Sequence, residues 1–191
     1  DSSISIIRNE AGDNPPYFVF AKSRTGSIGS NTVVQDNDYL GVLRFNGADG
    51  TDLGNVAAQI HTEVDGTPAT DDVPGALVFS TSNVGDGSAA AIERLRIAAG
   101  GNVGIGTSPD ALLHVKHAGG GFDEVARLTA VANSAGDGAF LGFHGNSTSK
   151  FYGFIGGYDI NTNQGGVKIG VGNGETAIAD SMTKMTIDNT G

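Results

Sequence analysis

The chain has no cysteine and no tryptophan among its 191 residues, and only two methionines. Without cysteine there are no disulfide staples, no thiolate metal sites and no cysteine nucleophile. Positive charge is scarce: 11 Lys and Arg stand against 21 Asp and Glu, a formal net charge of −10. Such a chain neutralises few phosphates, and it has no run of five basic residues, so nucleic acid is excluded as a partner class. No stretch approaches 18 consecutive apolar residues, so no membrane insertion is expected. Neither an initiator Met nor a signal peptide precedes Asp1, and the chain opens in mid-phrase, which reads as a piece of something longer.

Helical periodicity is nearly absent. Only Ser88–Ile92 ("SAAAI") and Thr176–Asp180 ("TAIAD") are patterned for a helical turn, and both are too short to stand alone. Glycine, by contrast, is abundant at 31 residues, about twice the usual share of roughly 7%. Short apolar or alternating runs bounded by Gly, Asn and Asp predict strands throughout. The first series is Ile4–Arg8, Tyr17–Ala21, Tyr39–Phe45, Val56–Ile60, Ala76–Ser80, Arg94–Ile97, Asn102–Gly106 and Leu112–Lys116. The second is Val125–Thr129, Ala139–Phe143, Phe151–Ile155, Val167–Val171 and Met182–Ile187. The fold class is all-β.

The two series resemble each other. "GALVF" at Gly75–Phe79 lies 90 residues before "GGVKI" at Gly165–Ile169, and "ERLRI" at Glu93–Ile97 lies 90 before "TKMTI" at Thr183–Ile187. "LRFNG" at Leu43–Gly47 lies 98 before "LGFHG" at Leu141–Gly145. The change from 98 to 90 places an insertion of 8 residues in the first copy, between Gly47 and Gly75, around "EVDGTPATDD". "SISIIRN" at Ser3–Asn9 precedes the first copy much as "LLHVKHA" at Leu112–Ala118 precedes the second. The chain therefore reads as two β modules, 1–109 and 110–191, the second cut short where "GNVGIGT" would begin again.

"GNVGIGTSPDALLHV" at Gly101–Val115 is almost bare on one face: Val103 and Ile105 alternate with Gly104 and Gly106. Glycine inside a strand marks close approach of another backbone. A glycine-rich β-sandwich in a monomer accounts for the composition. The repetition favours a fibre, in which three chains crowd one axis and cover each other's sheet edges. Candidate trimer-core residues are Leu95, Ile97, Val103, Ile105, Leu113, Val115, Met185 and Ile187.

This phrase, preceded by "ERLRI", resembles a repeat of the tail fibres of tailed bacteriophages, over Glu93–Val115 and again at Thr183–Gly191. "DYLGVLRFNGADG", "AAQI", "VDGTPATDDVPGALVFSTS" and "YGFIGG" carry the same likeness over most of the chain. The resemblance implies an elongated homotrimeric β fibre, extracellular on a virion and used in host attachment. Its partners would be its own copies, other virion tail proteins and a host cell-surface glycan or protein receptor. Such repeats often precede an endosialidase-type intramolecular chaperone. Bacterial surface adhesins carry similar repeats and remain an alternative.

Motifs for catalysis are missing. There is no G-x-S-x-G, P-loop or H-E-x-x-H, and Pro109 stands where a dinucleotide fingerprint needs its third Gly. Asp49/Asp52 and Asp71/Asp72 are pairs of the kind a polysaccharide-cleaving tailspike uses, yet turns call for the same residues. "DNDYLG" at Asp36–Gly41 begins like a calcium loop but has Leu40 at the fifth position and Gly47 at the twelfth. His114 falls on the face opposite Leu113 and Val115, and His117 on the face opposite His114, so they do not chelate together. No enzyme, cofactor or metal site is expected. Candidate receptor contacts are Asp49, Asp52 and Asp65 in the Gly47–Asp72 loops, and Tyr152, Phe154 and Tyr158 in "FYGFIGGYD", where the aromatics either stack on sugars or fill an interface between chains.

Overall fold

In a computed structural model of the chain, the structure describes residues 2–84, 91–117, 125–128, 138–144, 151–161, 164–170 and 183–188. Ten strands and no helix are found among them. Two compact units form, Asp1–Val125 and Ala126–Gly191. The first holds one sheet of six strands in chain order: β1 (Tyr39–Gly47), β2 (Asn55–Val64), β3 (Gly75–Thr81), β4 (Ile92–Ile97), β5 (Val103–Ile105) and β6 (Leu113–Val115). All neighbours are antiparallel except β5 and β6.

Alternation sorts the residues onto two faces. One face buries Ala76, Val78 and Ser80 of β3 with His61 and Glu63 of β2. Val78 on this face and Val64 on the other are fully enclosed, which stabilises the unit by about 1.5–3 kcal/mol per side chain. The other face carries Leu77 and Phe79, only half-buried.

The bare strand has a cause within its own chain. The β4–β5 turn closes through Ala98 N–H donating to Asn102 O (2.9 Å), with Gly101 at φ +84°. Parallel neighbours usually need a crossover of about a dozen residues or more. Here residues 106–112 suffice, because Gly106, at φ +72°, reverses the chain. Thr107–Pro109 then folds back over Gly104: a Cβ there would lie 2.2 Å from the Thr107 carbonyl oxygen and 3.0 Å from Pro109 Cδ. The backbone that Gly104 admits is thus its own, not a sister chain's. Leu112 O accepts from Val103 N–H, and Ile105 O from Lys116 N–H, both at 2.9 Å. This pairing carries the first unit past residue 109, because β6 belongs to the first sheet.

The second unit holds β7 (Gly138–His144), β8 (Phe151–Asn161), β9 (Gln164–Gly170) and β10 (Thr183–Asp188), in the order β10-β9-β8-β7 and antiparallel throughout. Its register parallels that of the first sheet. Leu77 faces Ile97 and Phe79 faces Leu95, while 90 residues later Val167 faces Ile187 and Ile169 faces Met185. The β2–β3 connection runs over ten residues, 65–74, and the β8–β9 connection over two, 162–163. In register the 8 residues inferred from the offset divide in two: Leu43 and Ile60 are 17 residues apart against 14 for Leu141 and Ile155, and Ile60 and Phe79 are 19 apart against 14 for Ile155 and Ile169, so three fall between β1 and β2 and five between β2 and β3.

Two expected strands do not form. Ile4–Arg8 and Tyr17–Ala21 have no ladder partner, and their Ile, Tyr, Phe and Val side chains are exposed. Residues 125–128 are likewise not in a strand. Of the expected helical turns, Ile92 opens β4 instead, and residues 88–90 and 176–180 lie outside the described residues.

Candidate functional site

The half-open face of the first sheet gathers the candidate core residues into two adjacent rows. Leu43, Ile60, Phe79, Leu95, Ile105 and Val115 are cross-strand partners in one. Leu77, Ile97, Val103 and Leu113 follow in the next. Leu43 is 45% exposed, Ile105 41% and Leu113 63%, so the apolar surface is continuous along these rows and open there, with Phe20 covering the face beside them at Gly41. In the second unit, Leu141, Ile155, Ile169 and Met185 form the corresponding row, and Val167 pairs with Ile187. Leu141, Ile155, Val167 and Ile169 are exposed too.

The opposite face is polar but closed. Arg96 donates to Glu63 Oε1 (2.6 Å) and to Glu93 Oε2 (2.9 Å), and His61 Nε2 lies 3.6 Å from Glu63 Oε2. Glu93 first, then Glu63, pushes the Arg96 guanidinium further up, so it stays charged at any working pH. Arg96→Ala strands the Glu63 carboxylate in a buried site. The expected cost is about 3 kcal/mol, read as a lowered urea midpoint.

Ahead of β1, an extended strap is clamped to the sheet by Asp38. Its buried carboxylate accepts from Arg24 Nε (2.6 Å) and Nη2 (2.9 Å), Lys22 Nζ (3.0 Å) and the Gln35 N–H (2.9 Å). Phe20 lies where a side chain on Gly41 would be: a Cβ there would sit 2.5 Å from Phe20 Cβ. The Arg24 hydrogen bonds, then the Gln35 N–H, hold the Asp38 carboxyl well below its usual range. A depressed carboxylate stabilises the fold above its ordinary value of about 4 and loses that contribution only as pH falls through the lower folded value. The clamp is therefore intact at neutral and mildly acidic pH. Asp38→Ala is expected to speed tryptic cleavage after Lys22 and Arg24 severalfold while β1–β4 stay protected.

The three acidic candidates are committed to turns at opposite ends of the sheet. In the β1–β2 loop, Asp49 Oδ1 accepts from Thr51 N–H (2.7 Å) and Asp52 N–H (3.1 Å), and Oδ2 accepts from Asn55 Nδ2 (2.6 Å). Asp52 Oδ1 accepts from Gly54 N–H at 2.7 Å. The Asp52 N–H, then that of Thr51, draws the Asp49 carboxyl below its usual range. Asp65 lies at the other end of β2, about 30 Å away for ten extended residues; its Oδ2 accepts from Ala99 N–H at 2.8 Å. That end also carries the ordered β2–β3 loop, closed by Asp65 N–H on Pro74 O (3.0 Å) and Ala69 N–H on Asp72 O (2.9 Å), and tied back by Gly66 N–H on Asp36 Oδ1 (2.8 Å). Its tip, residues 69–73, is exposed. Gly47–Asp72 is thus two separate loop sites.

Tyr152, Phe154 and Tyr158 all fall on β8. Phe154 is flanked in register by Gly142 and Gly170, and Tyr158 by Gly138 and Gly166. The aromatics therefore alternate with glycine across as well as along the sheet.

No protein-family model matches the chain, and no curated protein matches it. Among solved structures, the chain is similar to the carboxy-terminal domain of the bacteriophage T5 L-shaped tail fibre, at 14% identity and a TM-score of 0.48, over 100% of this chain and 89% of that one. It is also similar to that domain solved with its intra-molecular chaperone domain, at 14% identity and a TM-score of 0.49; 98% of this chain is matched to 59% of that one.

The Asp38 clamp and the Glu63–Arg96 pair were not legible as functional groups in the sequence. Asp36 and Asp38 stood out only as a failed calcium loop, because the partners that tie them to the rest of the unit, Arg24 and Gly66, lie 14 and 30 residues away. His114 Nδ1 lies 2.8 Å from Asp110 Oδ1, on the face opposite Leu113 and Val115 as alternation requires. Among the described residues, no three His, Asp or Glu side chains converge as a metal site would need.

Proposed function

We propose that the chain is part of a homotrimeric bacteriophage tail fibre, built of tandem β modules and serving as a structural and adhesive element in host attachment. The observation that carries this reading is the apolar face, open across all six strands of the first sheet and recurring at the same register in the second. A large contiguous apolar patch marks an interaction surface, and three copies meeting on these faces would enclose it. The likeness of Gly101–Val115 to tail-fibre repeats supplies the biological context. Its partners are then its own copies, other tail proteins of the virion and a cell-surface glycan or protein of the host.

Light scattering on the purified chain is expected to give about three times 19.3 kDa, and a stable single-chain mass would overturn the trimer. Receptor contact is assigned first to the β2–β3 tip, which the fold holds rigid at Asp65 and Gly66 and presents once per chain, hence in three copies. Shortening residues 67–73 to a tight turn should leave the mass unchanged and lower adsorption to host cells. A depolymerase is less well supported. The glycosidase acid needs a raised carboxyl value, whereas Asp49 is held ionised by its own turn.

A further inference from the structure

The structure assigns Ser3–Ile7 as a docking strand that adds, in parallel, to the outer edge of a β hairpin of the β4–β5 kind supplied from outside its own sheet. This rests on the module correspondence proposed above. "DSSISII" at Asp1–Ile7 lies against "DALLHVK" at Asp110–Lys116 with a constant offset of 109. Ile4 then corresponds to Leu113 and Ile6 to Val115, and polar Ser5 corresponds to His114. Leu113 and Val115 are β6, which adds in parallel to β5 and extends its apolar rows. Ser3–Ile7 has the same alternation but no partner: Ile4 is 92% exposed, Ile6 46% and Ile7 76%.

The chemistry of the missing partner follows from β6. It is a short Val-Gly-Ile strand whose N–H and C=O groups point outward, followed by a glycine that can turn with positive φ and by a Thr-Ser-Pro segment that returns the chain alongside. Within this chain that edge is already taken, because β6 satisfies the Val103 N–H and the Ile105 carbonyl. Ser3–Ile7 therefore has to find its hairpin elsewhere. Docking would place Ile4 and Ile6 in the apolar rows that Leu113 and Val115 join in the first sheet, and would cover the edge of the receiving strand.

The test extends the full chain at its N-terminus with a second copy of residues 91–109, so that Pro109 of the added segment joins Asp1 as it joins Asp110 in the chain. Hydrogen exchange at residues 3–7, followed by mass spectrometry of peptides, is expected to slow at least tenfold relative to the unextended chain. The same extension carrying Val103→Pro in the added segment only, which removes the donor that Leu112 O meets in β6, should leave exchange fast. Unchanged exchange in the first extension, or equal slowing in both, overturns the inference. Light scattering on the same samples keeps the two readings apart: a single-chain mass overturns the trimer, while the exchange data decide the strand.

Discussion

Replacing Gly104 by Val is expected to break the β5–β6 crossover, with a loss of about 4 kcal/mol, at the upper end for overpacking. The clash lies between main-chain atoms: the new Cβ would stand 2.2 Å from the Thr107 carbonyl oxygen and 3.2 Å from Pro109 N. No rotamer relieves a contact made by Cβ itself, so either β5 leaves the sheet or the Thr107–Pro109 turn opens. Opening the turn misplaces β6, since residues 106–112 connect it to β5 and set the register of their two 2.9 Å hydrogen bonds. Gly101→Ala is the comparison. Nothing lies within 4 Å of its Cβ, so it bears only the strain of φ +84°, about 1–2 kcal/mol. Urea unfolding of the three proteins measures both losses. A Gly104→Val variant within about 1 kcal/mol of the parent would show that the turn does not hold this position.

Ile105→Asp should convert the proposed trimer to single chains without unfolding the sheet. In one chain Ile105 is 41% exposed, so a carboxylate there keeps much of its water. In a trimer closed on the apolar faces, three carboxylates would be dehydrated among Leu and Ile side chains. An unpaired buried charge costs several kcal/mol per group, more than the interface can absorb three times. The expected result is a fall in mass from about three times 19.3 kDa to 19.3 kDa, with the β-sheet circular dichroism retained. Thr70→Asp, at the exposed loop tip, should leave the mass as it was. A variant that keeps the parent mass places Ile105 outside any interface.

Much of the architecture was legible because it is local. All ten strands among the described residues fall on apolar or alternating runs bounded by Gly, Asn or Asp, with ends shifted by up to six residues. The 8-residue excess of the first copy was readable as a shift of offset, but only the register shows that it divides, three residues between β1 and β2 and five between β2 and β3. Ile4–Arg8 and Tyr17–Ala21 were misread because alternation records a preference for extended backbone and does not supply a ladder partner. The acidic candidates were legible as turn residues but not as members of two distant loops; only the run of β2 between them sets Asp49 and Asp65 apart.

The sequence by itself determined the all-β class, the strand spacing and the alternation that gives each sheet an apolar side, since these depend on side-chain period and turn chemistry within a few residues. Tertiary structure alone decided what fills the space beside Gly104, which loops share an end of the sheet and which carboxylates are already occupied. Those contacts depend on how the chain folds back, whether after a few residues or after many. The backbone that crosses Gly104 comes from residues three to five positions on, Thr107 to Pro109, while Arg24 and Arg96 lie 14 and 33 residues from Asp38 and Glu63. Periodicity carries no record of either, because a side chain's partner is set by where the chain returns and not by its own neighbours.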